Sequence, residues 1–167
     1  MSTPQSNGIS SLHTNIAYRD NFSSDQELVA HLESGIPFTP RLPTNVPNGL
    51  QLRAAKTEQA GPAQSLELDY GFSNWSGGSW QYYNGPLMNI VEMPPAKYLK
   101  VGPDAVQIDT HIAGVALWEV RGLPADQIGF HLLTPTMDYN VIAWVRGTGV
   151  PTRGEVLSMM LALAQQG

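Results

Sequence analysis

Between Ser65 and Phe72 the chain reads SLELDYGF, and the fold class turns on this stretch. Leu66, Leu68 and Tyr70 alternate with Glu67 and Asp69, the period-2 signature of a half-buried β-strand. Upstream, residues 50–57 (LQLRAAKT) also have strand character, and Gly61-Pro62 between the two suits a hairpin connection. Downstream, LMNIVEM (87–93) reads as an apolar strand stopped by Pro94-Pro95. Further strands are predicted over 105–112, 114–121, 127–133 and 139–146. In the last of these Val141, Ala143 and Val145 alternate with Ile142, Trp144 and Arg146, so both faces are expected to be covered for part of its length. Strands in uninterrupted series favour antiparallel pairing, because a parallel crossover needs a dozen or more residues.

Helices bracket this run. Ser24 is followed three residues later by Glu27, the capping-box spacing, in which each side chain can satisfy an orphan N–H of the first turn. Leu28, Val29 and Leu32 then form one apolar face, and Gly35 stands where a left-handed C-cap is wanted, which predicts a helix over 24–34. Thr152 and Glu155 repeat the spacing before VLSMMLALA. There Val156, Met159, Met160 and Leu163 fall at i, i+3, i+4 and i+7, the core face of an amphipathic helix. Between the first helix and the strands, residues 36–48 contain four prolines. Proline lacks a donor, so this is expected to be an extended segment over the surface. Asn48-Gly49 marks a turn. The sequence thus predicts an α+β fold: a mostly antiparallel, twisted sheet of six or seven strands, with a short N-terminal helix and a C-terminal helix packed on one face. Residues 1–22, polar and without period, are expected to be a flexible arm, and 23–167 a single α+β domain.

The totals narrow the function classes. The 167 residues suit one domain, and the charged fraction of 14% is well below the roughly 25% of ordinary soluble proteins. The net charge of −5 and the scattered nine basic residues argue against nucleic acid, whose phosphates call for clustered Lys and Arg. The absence of cysteine excludes disulfides and thiolate chemistry. No apolar run reaches the roughly 18 residues of a membrane span, and no signal peptide is visible. The chain as written is expected to be cytoplasmic, or extracytoplasmic if Met1 replaces a removed leader or anchor.

The segments LPTNVPNGLQL, SLELDY, VQIDTHIAGVALWEV, YNVIAWVRG and EVLSMMLALA, in that order, resemble a bacterial domain of uncharacterised function. That domain forms the extracytoplasmic C-terminal part of anti-sigma-factor-like and lipoprotein-carrier-like proteins. The matching positions are Pro47 with Gly49, Tyr70, Gly114, Trp144 and the helix after Thr152. The resemblance spans about residues 38–165, brings no catalytic residues with it, and implies a regulatory or binding role.

Chemistry-bearing patterns are few. There is no Gly-x-Ser-x-Gly elbow, no His-x-x-x-His, no acidic Ca-type loop and no phosphate-binding glycine motif. No cofactor and no metal are expected. Asp109 and His111, two apart on a predicted strand, would share a face, so an acid–base pair is conceivable; a surface pair is the plainer reading. His13 and His31 read as solvated. Residues 73–85 (SNWSGGSWQYYNG) hold Trp75, Trp80, Tyr82 and Tyr83 among Gly and Ser, the amphipathic composition of recognition surfaces. The alternative is that Trp75 or Trp80 folds back over the end of the sheet. The sequence therefore points to a non-enzymatic binding or regulatory module with a protein partner, acting through Trp75, Trp80, Tyr82 and Tyr83 and the adjoining sheet face. A structural or accessory subunit of a larger assembly is the second reading, and a small hydrolase or isomerase using Asp109 and His111 the third.

Overall fold

The structure is a computed structural model that describes residues 12–60, 63–73, 86–95, 102–145 and 151–166. The strands are β1 (Leu12–Tyr18), β2 (Gln51–Ala60), β3 (Ala63–Gly71), β4 (Met88–Met93), β5 (Val106–Ile108), β6 (Ala116–Glu119), β7 (Gln127–Leu133) and β8 (Asp138–Trp144). The helices are α1 (Asp25–Glu33) and α2 (Arg153–Gln166), and a 3-10 turn at Arg19–Asn21 follows β1. All eight strands form one sheet in the order β1-β2-β3-β4-β8-β7-β6-β5, and every pairing is antiparallel. It is two four-stranded meanders, β1–β4 and β5–β8, joined where β4 pairs with β8. No described helix is long and apolar enough to cross a membrane.

The fold is α+β as expected, with eight strands rather than six or seven. The extra one is β1, inside the stretch read as a flexible arm over residues 1–22. Its sequence LHTNIAY has no clean alternation, but it runs in unbroken register along β2, from Leu12↔Ala60 to Tyr18↔Ala54. An edge strand needs only one neighbour, so tertiary pairing outweighs the weak local pattern. In the other direction, the strand predicted over 105–112 shrinks to Val106–Ile108 and that over 114–121 to Ala116–Glu119.

One face of the sheet is the core. Cross-strand partners place Ala17, Ala55, Leu68, Ile90, Val141 and Phe130 in one transverse row, and all six are buried. Leu28, Val29 and Leu32 of α1 and Val156, Met159, Met160 and Leu163 of α2 close over it as one apolar cluster. Arg153 of α2 grips Glu119 of β6 with two bonds of 2.6 and 2.9 Å, which fixes α2 to the same side.

Both helix starts form as their capping residues dictate. Ser24 Oγ accepts from the Glu27 N–H, while the Glu27 carboxylate reaches back to the N–H and hydroxyl of Ser23. At α2 the box is reciprocal: Thr152 Oγ1 accepts from the Glu155 N–H, and Glu155 Oε1 from the Thr152 N–H. The proline-rich segment 36–48 has no strand structure and straps the core between the helices. Asn45 Nδ2 donates to Ser158 Oγ, the Asn48 N–H donates to Glu155 Oε2, and the Arg41 guanidinium donates to the Gln166 carbonyl. The strap ends at Gly49, whose φ of +85° a side chain would resist, so the Asn48-Gly49 turn needs its glycine.

Candidate functional site

The opposite face of the sheet has neither described helix over it. Because side chains alternate across a strand, the partners of the core row lie one residue away. Ile16, Lys56, Glu67, Val91, Asn140, His131, Trp118 and Gln107 form a continuous transverse row across all eight strands. Beside it run Tyr18, Ala54, Asp69, Asn89, Ile142 and Gly129. The chemistry is mixed: half-buried Val91, Ile142, Trp118 and Trp144 stand among half-buried Lys56, Glu67, Asn89 and Asn140. We call this the open face.

Two polar clusters sit on it. The first is Lys56, Glu67 and Asp69. Lys56 Nζ stands 3.3 Å from Glu67 Oε2, near enough to pair its charge but off the direction of a hydrogen bond. Burial lowers the Lys56 pKa, yet the attraction of Glu67, Asp69 and Glu58 outweighs it and the net shift is upward. Asp69 is raised, first by burial, then by a hydrogen bond to and repulsion from Glu67, with Lys56 acting in the opposite sense. A carboxyl beside a carboxylate holds its proton, since two charges that close in a desolvated site cannot both be kept. Glu67 Oε2 and Asp69 Oδ1 find no hydrogen-bond donor among the described residues.

The second cluster is complete in itself. His131 Nε2 and Asp138 Oδ1 are 2.6 Å apart, with side chains only 9% and 4% exposed. Asn140 Nδ2 also donates to Asp138 Oδ1, and the Trp118 ring tilts against His131 at 5.8 Å between centroids. The pair bridges β7 and β8 just before their turn, where Thr134 Oγ1 accepts the N–H groups of Thr136 and Met137. It ties the two strands of the hairpin together, as a structural pin does. His131 carries no motif that marks it in the sequence. Its signal was available: His131 alternates with buried Phe130 and Leu132, which sends it to the other face.

A third buried acid lies on the core face. Glu92 is fully buried, and its Oε1 accepts the Arg41 N–H at 2.8 Å, tying the strap to β4. Oε2 has no donor among the described residues, and burial drives the pKa up to about 8 against the weaker pull of Arg41. The neighbouring hydroxyls of Tyr70 and Tyr139 are likewise raised, chiefly by burial.

Asp109 and His111 do meet, with His111 Nδ1 3.2 Å from Asp109 Oδ2, as an exposed surface pair, the plainer of the two readings. β5 ends at Ile108, so Asp109 and His111 stand in a turn rather than on a strand, with His111 at φ +58°. Asp109 Oδ1 accepts the His111 N–H at 2.8 Å, and both side chains are largely exposed, at 73% and 85%. This is a turn held by an aspartate. His31, expected to be solvated, is exposed but rests its ring on Phe22 at 5.2 Å. Trp75, Trp80, Tyr82 and Tyr83 lie outside the described residues.

Three clefts lined by described residues lie along seams of the helix-covered side. One of about 530 Å³ runs between the strap and α2, past Asn45, Asn48, Glu155 and Ser158, which already bond one another. Another, of about 430 Å³, is walled by Arg19, Asp25, Arg53 and Tyr70 and crossed by the 2.6 Å Arg19–Asp25 bond. Among the described residues no group of three or more metal-ligating side chains converges. No family model, curated protein or solved structure matches the chain.

Proposed function

We propose that the chain is a non-enzymatic binding or regulatory module that takes a protein partner on its open face, together with Trp75, Trp80, Tyr82 and Tyr83. One observation carries the reading: both helices and the strap crowd on to one side of the sheet, leaving a mixed aromatic, aliphatic and polar row on the other. Half-buried Trp and aliphatic side chains rimmed by amides and charges are the composition of interface centres. Glu67 Oε2 and Asp69 Oδ1 have no hydrogen-bond donor among the described residues, and a Lys or Arg of the partner would supply one. The aromatic segment 73–85 connects β3 to β4, the central strands that carry Asp69, Asn89 and Val91. The likeness to the extracytoplasmic part of anti-sigma-factor-like proteins points the same way.

The test uses immobilised chain and native cell extract, with fold checked by circular dichroism. Wild type and Glu33→Lys, a change on the exposed side of α1, should retain the same stoichiometric partner. Val91→Arg and Trp75→Ala/Trp80→Ala should lose it. Retention by Val91→Arg would remove the open face from the account, and loss with Glu33→Lys would move the interface to the helix side.

A further inference from the structure

The two edges of the sheet are built differently. β5 is only three residues long and follows Pro103 and Asp104 closely, the sort of short edge that resists pairing with other chains. β1 is seven residues long and carries no Lys, Arg, Asp, Glu or Pro. Its ladder to β2 has no bulge; the single register shift on that side lies between Leu52 and Ala54, in the ladder of β2 with β3. A short strand, a charge, a proline and a bulge, four devices by which natural sheets blunt an edge, are all missing from β1. The exposed large hydrophobics among the described residues are Ile16, Tyr18 and Val106, at 53%, 36% and 46%; all lie on edge strands, and two share one face of β1.

We infer that β1 is an interface between two copies of this chain, pairing antiparallel with itself across a two-fold axis at Asn15. Such an isologous contact needs one patch that complements itself. With Asn15 opposite its own copy, Ile16 falls opposite Thr14 and Tyr18 opposite Leu12, all with the same strand parity, and all seven residues are used. No like charges meet anywhere in that register, and the strand carries no charge that would single out a different chain. In that arrangement the outward N–H and C=O groups of the edge close a second ladder, and two eight-stranded sheets continue as one. The open faces of both copies then lie on the same side, so the dimer presents the proposed partner surface twice. Contact through one strand is small, which gives a concentration-dependent dimer rather than an obligate one.

The chain has no cysteine, so a single introduced thiol reports the axis cleanly. Opposed residues in antiparallel strands have Cα atoms about 4.5–5.5 Å apart, within disulfide range. Under mild oxidation Asn15→Cys should form a covalent dimer at least tenfold faster than Gln165→Cys, an exposed position on α2. In sedimentation across a wide concentration series the full chain should rise towards twice its 18.2 kDa mass. Ile16→Lys should hold it at the single mass, and Val106→Lys should not. A wild type that stays monomeric throughout overturns the inference, as does a dimer that survives Ile16→Lys. A dimer broken by Ile16→Lys but not trapped at Asn15→Cys overturns the Asn15 axis. Val91→Arg, which removes the proposed partner surface, should leave self-association unchanged, so the two proposals fail separately.

Discussion

Glu92 and Asp69 stand on adjacent strands of one sheet, β4 and β3, and both hold their protons well above the ordinary carboxyl range, chiefly through burial. They face opposite ways. Glu92 points into the core face, where the strap gives it one backbone N–H and nothing else among the described residues. Asp69 points to the open face, beside a second carboxyl and a lysine. The same residue chemistry thus fastens the strap to the fold on one side and, on the other, leaves Asp69 Oδ1 without a hydrogen-bond donor among the described residues. Burial alone does not tell the two apart; what lies over each face does.

The largest difference between the faces should appear on truncation. Phe130→Ala in the core row should cost about 3–5 kcal/mol of unfolding free energy, since it removes a fully buried ring. Val91→Ala, half-buried on the open face, should cost less than about 1 kcal/mol in the same urea titration. Comparable losses would mean that the open face is a second core.

Ionisation sharpens the contrast. A folded pKa near 8 against an ordinary 4.5 means that the folded state binds the Glu92 proton more tightly. The stabilisation from this group is therefore complete below about pH 4.5 and is lost as pH rises through 8. Glu92→Gln, which cannot ionise, should be on the order of 4 kcal/mol better placed relative to wild type at pH 9 than at pH 4. Partner capture should be unaffected. Asp69→Asn should change the pH dependence of unfolding in the same direction and to a comparable extent, since its folded pKa is also raised to about 8, and should in addition lose the partner. If Glu92→Gln alone abolished capture, the division of roles between the faces would be wrong.

Caps and turns should matter least. Ser24→Ala should cost about 1 kcal/mol through loss of the bond from the Glu27 N–H. His111→Gly relieves a positive φ and should shift stability by less than about 1 kcal/mol in either direction. A large loss there would revive a role for His111 beyond its turn.

The sequence showed these faces unevenly. Alternation in SLELDY separated Leu66, Leu68 and Tyr70 from Glu67 and Asp69, and the structure keeps that division. Caps at Ser24 and Thr152 and the spacing of Val156, Met159, Met160 and Leu163 were local signals and placed both helices. Glu92 was legible in principle, since Met88, Ile90 and Glu92 share one parity, yet an apolar run drew attention from its single acid. β1 was not legible, because its partner is β2, more than thirty residues away. Asp109 and His111 misled for the same reason in reverse: spacing implies a shared face only where the strand continues, and β5 stops one residue short of Asp109.

The most direct measurement of the central claim is oxidative footprinting of the protein free and with its captured partner. The account predicts that Trp118 and Trp144 lose reactivity in the complex, while Phe38 in the strap and Phe22 beside α1 keep theirs. Unchanged reactivity at both tryptophans, with protection moving to the strap or α1, would contradict it.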